Sequence, residues 1–186
     1  GVIDLSVEDT AAGKRIFLEA PEAKISAVDD HNRRLMQMAL GLMRAFMHPP
    51  ARIDVGVVWL VAQLESGKAV AALQPEMDKV LKLSIATNAA GITVFGKSDD
   101  EVSGLHVRSF APALGIAEDP VCGSGNASVG AYLLHTGLIK SYGSDFIARQ
   151  GMQVGRDGQI SVHIDQRSVR IGGYAITCID GILRTE

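Results

Sequence analysis

Apolar and polar positions along the chain follow two rhythms, and their order predicts an α+β fold. Residues 2–7 and 14–18 run apolar or alternate, with the turn-like Asp9, Thr10 and Gly13 between them, which predicts an opening hairpin. Leu35, Met38, Leu42 and Met43 recur at helical spacing behind Asp29 and Asp30, two residues suited to capping a helix start. Arg33, Arg34 and Arg44 fall elsewhere on that wheel, so the methionine stripe is read as core and His48-Pro49-Pro50 as the stop. Positions 53–64 have the β-branched density of one buried strand, with Trp59 as its core anchor. Ser66-Gly67 reads as a turn, and Pro75-Glu76 as the opening of a helix that reaches Ala86. Positions 92–95 and 105–110 read as strands on either side of an exposed charged loop at 97–101.

At 117–137 the pattern changes from polar loop to buried helix. Pro120 disfavours helix for the residue before it, and Gly123 and Gly125 permit close backbone approach. Ser124 or Asn126 can cap a helix that ends at Gly137, and its residues are apolar on nearly every face, as in an enclosed helix. Beyond it, 145–149, 160–164, 169–171 and 174–179 read as strands, separated by turns at Asp157-Gly158, 165–167 and Gly172-Gly173. Consecutive hairpins imply mostly antiparallel pairing, so the expected architecture is a mixed, curled sheet wrapped around one central helix.

Composition narrows the class. With 186 residues, 47% of them hydrophobic, and a net charge of −3, the chain suits one core or two small lobes and offers no basic surface for nucleic acid. The apolar stretch 55–62 falls far short of the roughly 20 residues that cross a bilayer, so no membrane partner is expected. A start of Gly1-Val2-Ile3-Asp4 lacks a secretory pattern, and a cytoplasmic location is the expectation. Without an initiating Met, the chain reads as processed or as a piece of a longer one. Cys122 and Cys178 belong to no CxxC pair and are read as reduced thiols, Cys178 as a buried apolar residue in a strand. The five histidines have no ligand spacing, so no metal is expected.

The chemistry concentrates at the start of the central helix. Such a start leaves backbone amides unpaired and carries roughly half a positive charge, which suits a carboxylate or an enolate. Asp119 supplies a carboxylate, Ser124 a hydroxyl and Cys122 a thiol, these three being the candidate catalytic residues. A helix N-terminus is expected to lower the Cys122 pKa. Gly123, Gly125 and Asn126 are the candidate substrate-binding residues. The plainer alternative is turn and cap chemistry alone. Arg108 could balance Asp119 or a substrate carboxylate, but is taken as a surface residue.

The segment Glu118-Asp119-Pro120-Val121-Cys122-Gly123-Ser124-Gly125-Asn126 resembles the EDP(V/A)TGSA-type hallmark of the phenazine-biosynthesis PhzF-like isomerase family. Arg108-Ser109-Phe110-Ala111-Pro112, Gly115-Ile116, Gln150-Gly151, Gly155-Arg156 and positions 169–173 agree in the same order. The resemblance implies a diaminopimelate-epimerase-like fold of two lobes, each a sheet curled round a helix, with a cofactor-free proton-transfer site between them. It implies that Asp119 and Ser124 are the polar residues of this lobe and that the amides around Gly123 and Ser124 bind the substrate carboxylate. In that family the main acid/base is a Glu aided by a His, near a GNP-type motif in the N-terminal lobe, and this sequence has no such motif before Gly13. Residues 1–20 are therefore read as the end of a mostly absent N-terminal lobe, 21–175 as the C-terminal lobe, and 176–186 as a terminal strand returning toward the first.

Cys122 departs from the Thr usual at its position, while Cys122-Gly123-Ser124-Gly125 is similar to the CGTG-type segment of related epimerases and racemases. It is either an acid/base or a small replacement for Thr. The expected function is a PhzF-like isomerase or epimerase acting on a small carboxylate substrate and incomplete without an N-terminal lobe. The alternative is a non-catalytic small-anion module that keeps the fold. The expected protein partner is a complementing lobe or a second copy in a homodimer.

Overall fold

The computed structural model describes residues 5–11, 13–99, 104–182 and 184. Its elements follow in the order β1 (Leu5–Thr10), β2 (Gly13–Glu19), β3 (Lys24–Ala27), α1 (Asp30–Ala39), β4 (Ala51–Asp54) and β5 (Val58–Gln63). Next come α2 (Gly67–Ala71), α3 (Met77–Thr87), β6 (Gly91–Lys97), β7 (Leu105–Ala111), β8 (Ile116–Asp119) and α4 (Gly123–Thr136). The last are α5 (Ile139–Tyr142), β9 (Asp145–Gln150), β10 (Gly158–Ile164) and β11 (Val169–Tyr174).

Eleven strands among the described residues form one sheet in the order β1-β2-β11-β10-β9-β7-β6-β5-β4-β3, with β8 attached to β7. Pairing is antiparallel except at β5/β6 and β7/β9. This is the expected α+β arrangement: the sheet curls around α4, whose residues from Gly125 to Leu133 are all buried. Alternation along each strand splits the core in two. Trp59 and Val61 face the α4 side with Phe95, Tyr132 and Val162, while Leu60 and Ala62 face α1, α2 and α3 through Met36, Leu40, Val70 and Leu83. Gly130 explains how α4 comes so close to the sheet, since a Cβ there would stand 2.6 Å from a methyl of Val169.

Several expectations are corrected by turn chemistry. Positions 53–64 are not one strand but the β4/β5 hairpin, because the Asp54 carboxylate accepts the Gly56 amide at 2.9 Å and Gly56 takes a φ of 92°. Asp29 caps α1 as expected, through the Asn32 amide at 2.8 Å, but the helix stops at Ala39 rather than near His48. Gly41, at a φ of 67°, follows that end. The short helix buries Met36, Ala39 and Leu40, so the methionine stripe is not core: Met38 is exposed and Met43 is 97% exposed. Ser66 is the N-cap of α2, its hydroxyl accepting the Ala69 amide, rather than part of a simple turn.

The opening hairpin pairs as expected, Leu5 opposite Leu18. β2 also pairs with β11, Glu19 opposite Arg170, so the hairpin continues the same sheet. The expected strand at 174–179 does not form: β11 ends at Tyr174, and the described residues after it have no regular structure. Cys178 is exposed there rather than buried, since no strand among the described residues covers it. Val2, Ile3 and Asp4 of the hairpin, Ala12 of its turn, Asp100 and Glu101 of the charged loop, and positions 183, 185 and 186 of the tail lie outside the described residues. No described helix is long and apolar enough to cross a membrane.

Candidate functional site

β7 and β8 deliver the site. Ser109 pairs with Asp119 across them, and one residue earlier in each strand Arg108 Nε and Nη2, one edge of the guanidinium, donate to the two carboxylate oxygens of Glu118 at 2.8 and 2.7 Å. Arg108 is buried, not on the surface, and its partner is Glu118 rather than Asp119. Its Nη1 also donates to the carbonyls of Val70 and Leu73 at 3.2 and 2.9 Å, and its guanidinium lies 4.9 Å from the centre of the Phe110 ring. A carboxylate, two backbone carbonyls and an aromatic face around one buried cation make β8 a fixed platform.

From that platform the chain turns into α4. The Asp119 carboxylate accepts the Val121 amide at 2.9 Å, an Asx turn that sets the direction of Pro120 and Val121. Gln150 holds the turn from below, donating to the Asp119 carbonyl at 2.6 Å and accepting from the Asn126 side-chain amide at 2.8 Å. Asn126 donates in addition to the Cys122 carbonyl at 2.8 Å. The loop packs so closely that a Cβ on Gly151 would lie 2.5 Å from the Pro120 carbonyl oxygen.

Cys122, rather than Ser124 or Asn126, is the N-cap of α4. Its sulfur accepts the Gly125 amide at 3.3 Å, which leaves Ser124 and Asn126 inside the helix and their side chains available for other partners. Ser124 Oγ accepts the indole N–H of Trp59 at 3.0 Å and lies 3.7 Å from Cys122 Sγ. Thr93 and Ser109, fully buried, bond each other at 3.0 Å beneath the cap.

The helix start opens outward. Gly123 is exposed, Val121 is half exposed, and Asp119 and Ser124 are half-buried. The first backbone bond of α4 is made by the Asn126 amide to Cys122 at 3.1 Å, so the amides of Gly123 and Ser124 precede the paired part of the helix. Of the expected site residues, Asp119, Gly123 and Ser124 come together at this open end. Cys122, Gly125 and Asn126 lie behind it, buried; the Cys122 sulfur, the Gly125 amide and the Asn126 side-chain N–H groups are taken up by the loop and helix, while Asn126 Oδ1 has no hydrogen-bond partner among the described residues.

The expected depression of the Cys122 pKa is corrected. Burial pushes the thiol up, and the Gly125 amide and the Ser124 hydroxyl offset this only in part. Among the described residues no three His, Cys, Asp or Glu side chains converge as metal ligands. Two hollows lie away from the loop: one of about 750 Å³ beside Arg15, Ser161, His163 and Arg170, and one of about 520 Å³ along Ala127, Ala131 and Leu134.

Three residues brace the site in roles that the sequence does not assign to them. Gln150 sits at an inward register position with Ala148, and a polar residue there was a usable signal. Arg108 gave no local hint of its carboxylate partner. Trp59 was placed correctly in the core, but nothing in the sequence pointed its indole at Ser124.

Comparison with known proteins places this geometry in context. A family model described as "Phenazine biosynthesis-like protein", PhzC-PhzF, matches residues 1–181. Antisense-enhancing sequence 1 of Schizosaccharomyces pombe is 31% identical over 198 residues, covering 97% of this chain and 63% of its own length. An uncharacterized isomerase of Clostridium acetobutylicum is 33% identical over 162 residues, covering 81% of this chain and 54% of its own. The chain therefore spans a little over half the length of these relatives. The crystal structure of a Bacillus anthracis phenazine biosynthesis protein of the PhzF family superimposes with a TM-score of 0.74 at 19% identity, covering 93% of this chain and 62% of that one. That of a predicted epimerase of Pseudomonas aeruginosa gives 0.73 at 23%, covering 92% and 59%. At these identities the structural likeness is one of fold.

Proposed function

Because the chain belongs to the PhzC-PhzF family of phenazine biosynthesis-like proteins, we propose that it forms one half of an isomerase site that moves a proton on a small carboxylate-bearing substrate without a cofactor. The observation that carries this reading is the meeting of Asp119, Ser124 and the leading amides of α4 at one open helix end. The amides of Gly123 and Ser124 receive the substrate carboxylate, or the enolate that develops from it, aided by the helix dipole. Asp119 handles or orients the proton, since its carboxylate stands beside that anion pocket. Cys122 serves as cap and neighbour of Ser124 rather than as a base, because burial raises its thiol pKa and keeps it protonated.

The remaining acid/base comes from a complementing lobe. Residues 1–20 close that lobe in this reading, 21–175 form the lobe seen here, and 176–186 lead back toward the first. Ile176, Ile179 and Ile182, each close to nine-tenths exposed, support a surface that another lobe or a second copy covers. A cytoplasmic setting fits this chemistry.

Deuterium incorporation from solvent into small amino and hydroxy acids tests the proposal. The chain by itself exchanges negligibly, and exchange appears when the N-terminal lobe of a family relative is supplied. Robust exchange by the isolated chain would contradict the half-site. A second reading, a non-catalytic small-anion module, is favoured by the protonated Cys122 and predicts carboxylate binding with no exchange in either sample.

A further inference from the structure

The larger of the two hollows, about 750 Å³, lies on the face of the sheet opposite α4. Strand alternation puts it there. Val162, Ile171 and Leu18 face α4, so Ser161, Arg170 and Phe17, their neighbours along β10, β11 and β2, face the other way. The helices α1, α2 and α3 pack on that other face over β5, β6 and β7, and the hollow runs beyond them across β1, β2, β11, β10 and β9. We infer that this hollow binds a small organic oxyanion, a phosphomonoester or a carboxylate, whose charged head is taken by Arg170 and Arg15 beside Phe17 and whose apolar body lies toward Phe146 and Ile147.

Phe17 is an aromatic residue on a polar sheet face, yet it is buried, because its ring lies against β11: a Cβ on Gly172 would stand 2.4 Å from a ring carbon. The guanidinium carbons of Arg15 and Arg170 are 5.1 and 6.0 Å from the centre of that ring. Two cations gathered at one ring repel each other, and an anion between them relieves the repulsion. The carboxylates at hand are engaged elsewhere or fall short. Glu8 answers Arg15, accepting from Nη2 at 3.0 Å while Nη1 donates to Ser161 Oγ at 3.3 Å. Asp145 is held at both oxygens, by His163 Nδ1 and by Ser144 Oγ. Glu19 stands opposite Arg170 across the strands. Arg170 nonetheless makes no hydrogen bond or ion pair among the described residues, and Arg15 Nε is buried without a partner. Unmet guanidinium donors beside a hollow mark the place of a missing acceptor, and the planar fork of arginine matches two oxygens of a carboxylate or a phosphate. The volume sets the rest of the ligand. At about 750 Å³ the hollow has the size of a small-molecule pocket, more than a bare ion fills, and Phe146 and Ile147 line its β9 end.

The ¹⁵N-labelled chain is titrated with phenyl phosphate, benzoate and inorganic phosphate at constant ionic strength, and the ¹H–¹⁵N spectrum is followed. The amides of Ser161, Arg170 and Gly172 move along one saturation curve with phenyl phosphate or benzoate while those of α3 stay fixed, and the tighter of the two identifies the head group. Inorganic phosphate binds at least about tenfold more weakly, since it has no apolar body to bury. Arg170→Leu, which removes no hydrogen bond of the described residues, weakens the organic anion about tenfold or more, as loss of a charge-assisted hydrogen bond requires. Arg170→Lys restores binding only in part, because it keeps the charge without the fork. The inference is overturned by the absence of saturable movement with all three anions, by unchanged affinity in Arg170→Leu, by full rescue in Arg170→Lys, or by inorganic phosphate binding as tightly as the organic anions, the last two being the behaviour of an unselective charged surface.

Discussion

Arg108 and Glu118 form a bidentate ion pair, each side chain 6% exposed, one residue before the Ser109/Asp119 pair that launches the site loop. Breaking a buried pair of this kind strands a charge, so Glu118→Gln and Arg108→Leu are each expected to cost about 3–5 kcal/mol. Arg108→Leu should be the worse, since Val70 and Leu73 lose their donor as well. Urea unfolding measures this, and a loss below about 1 kcal/mol, the range of exposed pairs, would contradict the account.

Gly125 and Gly123 should respond differently to alanine. At Gly125 a Cβ would stand 2.7 Å from Ser109 Oγ and 3.0 Å from both Cys122 Sγ and Thr93 Oγ1, so Gly125→Ala overpacks the cap and costs about 1–3 kcal/mol. At Gly123 the nearest atom is a methyl of Ile171 at 3.3 Å, so Gly123→Ala changes thermal stability little. Equal losses in the two variants would show that the cap is not the tight point.

Gln150 braces the loop with both ends of its amide. Gln150→Leu leaves the Asp119 carbonyl without this donor and the Asn126 side-chain amide with the Cys122 carbonyl alone, at a cost of about 1–3 kcal/mol. Hydrogen exchange at Val121 and Gly125 should accelerate in this variant, while amides of α3 on the other side of the sheet keep their protection.

Cys122 sets a pH dependence whose sign follows from burial. Because its folded pKa is raised, thiolate formation opposes the folded state, and stability falls as pH climbs from the ordinary thiol range through the raised value. Cys122→Ser keeps a capping oxygen and removes this alkaline loss. In the unaltered chain, iodoacetamide should modify the exposed Cys178 well before Cys122, as read by mass spectrometry.

Much of the fold was legible because its signals were local. The sequence period separated the strands of β9, β10 and β11, and the all-round apolar character of 123–136 announced an enclosed helix. Misreadings arose where one turn outweighed a periodic run. Asp54 and Gly56 cut an apolar stretch into a hairpin, and the early end of α1 left Met38 and Met43 in solvent. At the site, Asp119, Gly123 and Ser124 stood out by residue type and spacing. What places them could not, because Arg108–Glu118, Gln150–Asn126 and Trp59–Ser124 are bonds between elements, and a linear pattern holds no distance. Cys122 shows a further gap: the helix dipole argued for a lowered pKa, and only the depth of burial decided against it.

The central claim is tested most directly by solvent deuterium incorporation in the site completed with an N-terminal lobe, comparing Asp119→Asn with Cys122→Ser. Asp119→Asn should lower the rate at least about a hundredfold, the usual weight of a placed proton-transfer group, while Cys122→Ser retains most of it. Retained exchange in Asp119→Asn together with loss in Cys122→Ser would contradict the account and move the proton chemistry to the thiol.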